Sequence, residues 1–269
     1  MSYGIAADVT FKPVPLRRLR YILLIMMRNF SFALVFALVF MAACQKDETT
    51  EGPKARIALI NAALDSEPIS LLLDDQPLNE VPVSFGEASG TAENAYLPTG
   101  PGVRTTTWKV GESIVADNKF LAWSPGKYYT MIHYDTAVNG VAPILILNDD
   151  PQPNDSVGKG RFINCVAGSD SLTLWLIRPL NATRNDTTRV ASKQVWLGFS
   201  NTSNNINGAY NATIQPKEYW LQLLSRDSTI LFRDTLTFQS KQMYTFVGIG
   251  ETGGTGAKSP QVKLVLQPK

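Results

Sequence analysis

The sequence predicts an all-β protein: two tandem antiparallel β-sandwich domains set behind a signal segment and a short tether. Three observations carry this. The chain beyond residue 53 repeats itself, its apolar residues alternate over short stretches without a helical period, and Gly, Pro and Asp clusters punctuate those stretches at intervals.

Residues 30–43 read FSFALVFALVFMAA, a charge-free run preceded by Arg28 and by Arg17, Arg18 and Arg20. A spanning helix needs about 20 apolar residues, and this run is shorter. A basic segment, a short apolar segment and small residues at its end make a secretory signal. Met41-Ala42-Ala43-Cys44 resembles the lipobox of bacterial lipoproteins, with Met41 in place of the usual Leu. Small residues admit the peptidase, and the Cys44 thiol takes a diacylglycerol through a thioether. Each buried CH₂ then contributes about 0.8 kcal/mol of membrane affinity. The expectation is cleavage before Cys44, a signal segment over residues 1–43 and an outer-membrane lipoprotein. Met26 or Met27 offers an alternative translation start. Residues 44–53 read as a solvated tether. The acids Asp47 and Glu48 resemble a surface-export signal, so the cell surface and the periplasmic face both stay open.

Repeat one is expected over residues 54–150 and repeat two over 157–269. Leu59-Ile60-Asn61-Ala62 matches Phe162-Ile163-Asn164-Cys165 at an offset of 103, and the same offset lays Leu71-Leu72-Leu73 on Leu174-Trp175-Leu176. Val83-Ser84-Phe85-Gly86 matches Val195-Trp196-Leu197-Gly198 at 112, and Tyr129-Thr130-Met131-Ile132 matches Tyr244-Thr245-Phe246-Val247 at 115. Insertions in surface loops make an offset grow in this way, and the polar run 181–188 reads as one of them. Asp74-Asp75 and Pro125-Gly126 are turn signals between strands. The polar segment 148–160 reads as the linker between domains. Such a strand and turn pattern, doubled, points to immunoglobulin-like sandwiches.

Composition excludes some functions. The whole chain holds 25 Lys plus Arg and 23 Asp plus Glu, but five basic residues and one acid fall within residues 1–43. The chain from Cys44 onward is slightly acidic, which argues against a nucleic-acid partner. Of the two cysteines, Cys44 is committed to lipid, so Cys165 reads as a lone buried thiol in the place of Ala62.

The runs ARIALINAA (55–63), LLLDDQPL (71–78), FGEASG (85–90), PGKYYTMI (125–132) and LILNDD (145–150) together resemble the bacterial "domain of unknown function 4397" proteins. The second half follows the pattern loosely: Ile177-Arg178-Pro179-Leu180 replaces the aspartate turn, and no Pro-Gly precedes Tyr244. The resemblance implies tandem sandwich domains on exported, lipid-anchored proteins. It implies no activity and no functional residues.

Candidate sites are few. His133, the only histidine, lies in the strand 128–134; Ser124 and Asp135 are near it in sequence, but no nucleophile elbow surrounds any serine. Asp149, Asp150 and Asp155 crowd the linker and are the candidate metal ligands, as Ca²⁺ takes clustered carboxylates, although their spacing is that of no calcium loop. The glycine-rich run 248–256 lacks the Lys-Ser/Thr step of a phosphate loop. Trp175 is the candidate ligand surface: if Leu172, Leu174 and Leu176 face inward, alternation turns it outward, where it could stack on a sugar or a partner protein. The other tryptophans read as core. No cofactor is expected. The function expected is a non-enzymatic binding or scaffold module, held to the membrane by its lipid and contacting glycan, matrix or a partner protein. The alternative is an envelope-bound hydrolase acting on extracellular polymer.

Overall fold

In the computed structural model the described residues are 52–136, 143–149, 156–198 and 208–268. Residues 52–269 form one compact unit. The described residues of that unit are all-β apart from a short 3-10 turn at Gly256–Lys258.

The first half contributes β1 (Ala55–Asn61), β2 (Ile69–Leu73), β3 (Gln76–Pro77), β4 (Tyr96–Thr99), β5 (Gly102–Val110), β6 (Ser113–Trp123), β7 (Tyr128–His133) and β8 (Ile144–Asp149). The second contributes β9 (Gly158–Asn164), β10 (Ser171–Asn181), β11 (Arg184–Val195), β12 (Ala212–Ile214), β13 (Glu218–Leu224), β14 (Ile230–Thr237), β15 (Met243–Ile249) and β16 (Gln261–Gln267). Four four-stranded sheets result, in the orders β3-β2-β5-β6, β4-β1-β7-β8, β12-β9-β15-β16 and β11-β10-β13-β14, each drawn from one half.

The sequence repeat has a counterpart in register. Leu59 of β1 lies opposite Met131 of β7 in a parallel pair, and Phe162 of β9 lies opposite Phe246 of β15 in another. The hydroxyl of Tyr129 accepts from the Ser124 N–H at 3.0 Å, and that of Tyr244 from the Gln239 N–H at 2.6 Å. An aromatic ring lies edge-on to each, Trp123 and Phe238 respectively. Asp74 and Asp75 both adopt positive φ (49° and 63°), as a two-residue hairpin between β2 and β3 requires. Gly126 turns at φ 71°. Where the second half lacks that Pro-Gly, Lys241 takes the left-handed conformation at φ 59°, which costs an L-residue about 1–2 kcal/mol.

The sheets pack as layers. Ile57 and Leu59 of β1 face the β3-β2-β5-β6 sheet and pack with Leu71 and Trp108. Ala58 and Ile60, on the opposite face of β1, pack with Ile132, Ile163, Cys165, Val247 and Val265, so the β4-β1-β7-β8 sheet also lies against the β12-β9-β15-β16 sheet. Phe162, Tyr244 and Phe246 face the other way, toward Leu174, Leu176, Leu221 and Leu223. The two central sheets are therefore covered on both faces, which explains why β15 is buried at every residue. Cys165 is a free, buried thiol in this shared layer, beside Ala62.

This layer takes in both ends of the expected linker 148–160, whose residues 150–155 lie outside the described ones. Asn148 and Asp149 end β8, Gly158 begins β9, and Asp149 is fully buried. Its Oδ1 lies 2.6 Å from Arg161 Nη2, with both side chains inaccessible. Oδ2 accepts from Tyr96 Oη at 2.8 Å and from Thr130 Oγ1. Arg161 also donates from Nε to Thr245 Oγ1 at 3.0 Å and from Nη1 to the Gly208 carbonyl at 3.1 Å, and it lies over the Tyr210 ring. Thr130 and Thr245, the same position of the repeat, thus meet around one ion pair joining the halves. Lys258–Asp65 and Lys263–Glu87 pairs join them at the surface. The run 181–188 does carry extra residues relative to the first half, but as strand instead of loop: it closes the β10–β11 hairpin, where β10 continues well past the point at which β2 turns.

Candidate binding face

The β11-β10-β13-β14 sheet turns one face to the core and the other to solvent. Leu172, Leu174 and Leu176 point inward, as do Tyr219, Leu221 and Leu223. Alternation then places Trp175, Ile177, Trp220 and Gln222 on the outer face. Register sets Trp175 opposite Arg189 on one side and Gln222 on the other, and Ile177 opposite Trp220. The two tryptophans are diagonal neighbours on adjacent strands, a spacing of about 7–8 Å between backbones.

Each tryptophan has an arginine over its ring. Arg189 lies 5.6 Å from the Trp175 centroid and Arg233 lies 5.9 Å from that of Trp220. The Gln222 amide oxygen accepts from Arg233 Nη2 at 2.9 Å and Nε at 3.1 Å, which fixes that guanidinium. Trp175 is half-buried and Trp220 is 41% exposed. A solvent-facing pair of indoles, each with a stacked cation worth about 0.5–1 kcal/mol at an exposed site, makes an ordered surface with flat apolar area and hydrogen-bond donors.

Beside Trp220 a cleft of about 530 Å³ opens between β10 and β13, lined by Arg178, Pro179, Lys217, Glu218, Tyr219 and Trp220. A larger cleft of about 680 Å³ in the first half is lined in part by Asn79, Glu87 and Ser89. Its buried polar side chains are spent on the fold. Asn79 accepts from the Leu71 N–H and donates to the Ile69 and Val81 carbonyls, while Ser89 Oγ accepts from the Leu59 N–H and donates to the Ala95 carbonyl.

The other sequence candidates fall elsewhere. His133 is fully buried at the end of β7, and Nδ1 lies 3.4 Å from Ser66 Oγ, whose proton is directed to the Glu67 carbonyl at 2.9 Å. Burial pushes its pKa down to about 4, against a smaller upward pull from Asp135. It lines neither cleft. Asp149, a candidate metal ligand by sequence, is engaged within the protein instead: its oxygens are held by Arg161, Tyr96 and Thr130, and burial raises its pKa against those partners. Asp150, Asp155 and Cys44 lie outside the described residues. Among those described, no cluster of three metal-ligating side chains occurs.

Sequence reasoning singled out Trp175 and missed Trp220, Arg178 and Tyr219. The alternation of 218–223 (EYWLQL) held the signal for Trp220, because inward Tyr219 and Leu221 turn it outward. The cleft had no such signal, since it depends on where β10 and β13 part. Compared with known proteins, the chain matches no family model and no curated protein.

Proposed function

We propose that the protein is a lipid-anchored component of a bacterial cell envelope, held through Cys44, and that it works as a non-enzymatic binding module. The outer face of the β11-β10-β13-β14 sheet is its contact surface, and the ligand is a glycan or a partner protein carrying one. The observation that carries this reading is the diagonal Trp175–Trp220 pair on a solvent face, each ring under an arginine. Aromatic and arginine side chains dominate recognition surfaces because they bring large contact area at small entropic cost. The burial of His133, neutral down to about pH 4, weighs against its use as a general base at an accessible site. The resemblance to lipid-anchored proteins with tandem sandwich domains, and the lipobox-like Met41-Ala42-Ala43-Cys44, support the anchor.

Two measurements test the proposal. Mass spectrometry of the mature protein is expected to show an acylated Cys44 as the first residue; retained upstream residues would overturn the anchor. A screen of wild type and a Trp175→Ala, Trp220→Ala double variant against envelope polysaccharides is expected to show binding that the double variant loses. Undiminished binding by that variant would remove the face as the contact surface.

A further inference from the structure

We propose that the outer face of the β11-β10-β13-β14 sheet binds an acidic glycan laid across the strands, with its sugar rings on Trp175 and Trp220 and its carboxylates on Arg189 and Arg233. The inference rests on the binding-face reading and names the ligand class for it.

Register lines these residues up. Arg189 of β11 lies opposite Trp175 of β10, Trp175 opposite Gln222 of β13, and Gln222 opposite Arg233 of β14. Directly opposed residues share a face, so they make one row across the whole sheet with a guanidinium at each end. The neighbouring row on that face runs Thr187, Ile177, Trp220, Thr235, with a hydroxyl at each end. Adjacent strands lie about 4.8 Å apart, so the backbones of Arg189 and Arg233 are separated by roughly 14 Å. Such a strip is longer than one sugar ring and suits a short run of them.

The strip stands open. Arg189, Arg233, Thr187, Thr235 and Trp220 are all exposed. The guanidiniums flank the indoles and do not cap them: they lie 5.6 and 5.9 Å from the ring centroids, against 4.4 Å for Arg161 over Tyr210 in the core. Contacts of that length are near the outer limit of about 6 Å for a cation on a ring. Indole surface is therefore left for the flat C–H face of a pyranose, with the guanidiniums beside it for the substituents at the ring's rim.

Charge selects an acidic glycan over a neutral one. Among the described residues neither Arg189 nor Arg233 is ion-paired. The carboxylates of these strands are Asp186, Glu218 and Asp234. Register turns Asp186 and Asp234 to the other face, opposite Arg178 and Leu221, so Glu218 alone shares the outer face with the arginines. A guanidinium presents parallel donors that fit a carboxylate. Gln222 takes one edge of Arg233, through Nη2 and Nε, and leaves the Nη1 end to a ligand.

The test is calorimetric titration of the full chain with tetragalacturonate, with neutral cellotetraose, and with oligoglutamate as an acidic chain without sugar rings. Tetragalacturonate is expected to bind at least about 10-fold more tightly than either at low salt, and to lose its advantage over cellotetraose as salt screens the exposed cations. Trp220→Ala is expected to weaken it about 10-fold, by loss of stacking. The double variant Arg189→Gln, Arg233→Gln changes only exposed side chains. It should lower affinity for tetragalacturonate about 10-fold, by loss of charged hydrogen bonds, and leave that for cellotetraose unchanged. Lys109→Gln, Lys119→Gln removes the same charge from the β3-β2-β5-β6 sheet and should alter neither. No binding of tetragalacturonate, or wild-type affinity in Trp220→Ala or in the arginine double variant, would overturn the proposal. Oligoglutamate binding as tightly as tetragalacturonate would overturn it too, in favour of a partner recognised by charge alone. Equal affinity for the two sugars, lost in the Trp175→Ala, Trp220→Ala double variant, would remove the acidic-sugar assignment and leave the binding face standing.

Discussion

Replacing Arg161 tests the shared layer most directly. In Arg161→Met the apolar stem stays and the guanidinium goes. The variant loses donations to Thr245, Gly208 and Thr130, the stacking over Tyr210 and the 2.6 Å contact with Asp149. Summing such bonds overstates the effect, since they are strongly coupled. The better guide is that stripping one partner from a buried ion pair costs about 3–5 kcal/mol, through the stranded charge. For a folded unit of this size that is a Tm drop of roughly 6–20 °C. The sign of the pH dependence comes from Asp149. Burial already raises its pKa, and Arg161 is the largest influence lowering it. Without Arg161 the folded-state pKa rises further, so the folded state binds the extra proton and the variant regains stability as pH falls. Urea unfolding followed by tryptophan fluorescence at pH 7 and pH 5 should show the penalty shrinking at the lower pH. In Asp149→Leu the stranded guanidinium cannot discharge, so its penalty should persist. The double variant Asp149→Leu, Arg161→Met should recover most of the loss, since Tyr96 pairs with Thr130 and Tyr210 with Thr245, each at 3.0 Å. A cost below about 1 kcal/mol for Arg161→Met, or one independent of pH, would refute the account.

Further predictions rest on separate observations. Residues 54–150 produced alone should aggregate or self-associate on a sizing column, because Ile60, Ile132 and Leu147 lose cover worth about 1.5–3 kcal/mol apiece; a monomer with a cooperative unfolding transition would count against the shared layer. His133 has a folded-state pKa near 4 against the usual 6.5. Between those values the unfolded chain binds more protons, so this residue removes up to roughly 3 kcal/mol of stability as pH falls through that window. Relative to wild type, His133→Gln should therefore show a flatter decline in urea midpoint from pH 7 to pH 4.5. Cys165 is buried and its thiol pKa is pushed up by burial, so in a Cys44→Ser chain iodoacetamide should label it only after unfolding.

Local rules made much of the architecture legible. Leu172, Leu174 and Leu176 pointed inward because strand alternation has a period of two, and Trp175 turned outward by the same rule. The Asp74-Asp75 and Pro125-Gly126 signals marked turns because positive φ is a local demand. The repeat offsets held in register, Leu59 with Met131 and Phe162 with Phe246. The same local logic misjudged Asp149, which stands in a polar run beside Asp150, Pro151 and Pro153. Nothing near Asp149 in sequence marks it as buried; its cover comes from β9 and from Gln267, whose Nε2 donates to its carbonyl at 3.3 Å.

By itself, then, the sequence determined the strand class, the turns and which side of each strand is apolar, since these depend on backbone sterics and side-chain period within a few residues. It also held the sign that β1 and β15 have no polar side, for ARIALIN and MYTFVGI alternate poorly. What covers those second faces was decided only by tertiary structure, because burial depends on surfaces brought together from more than a hundred residues apart. That meeting sets Asp149 on Arg161 instead of in water. The cleft beside Trp220 arises in the same way, where β10 outruns its pairing with β13, because strand divergence is a property of the assembled sheet and of no single segment.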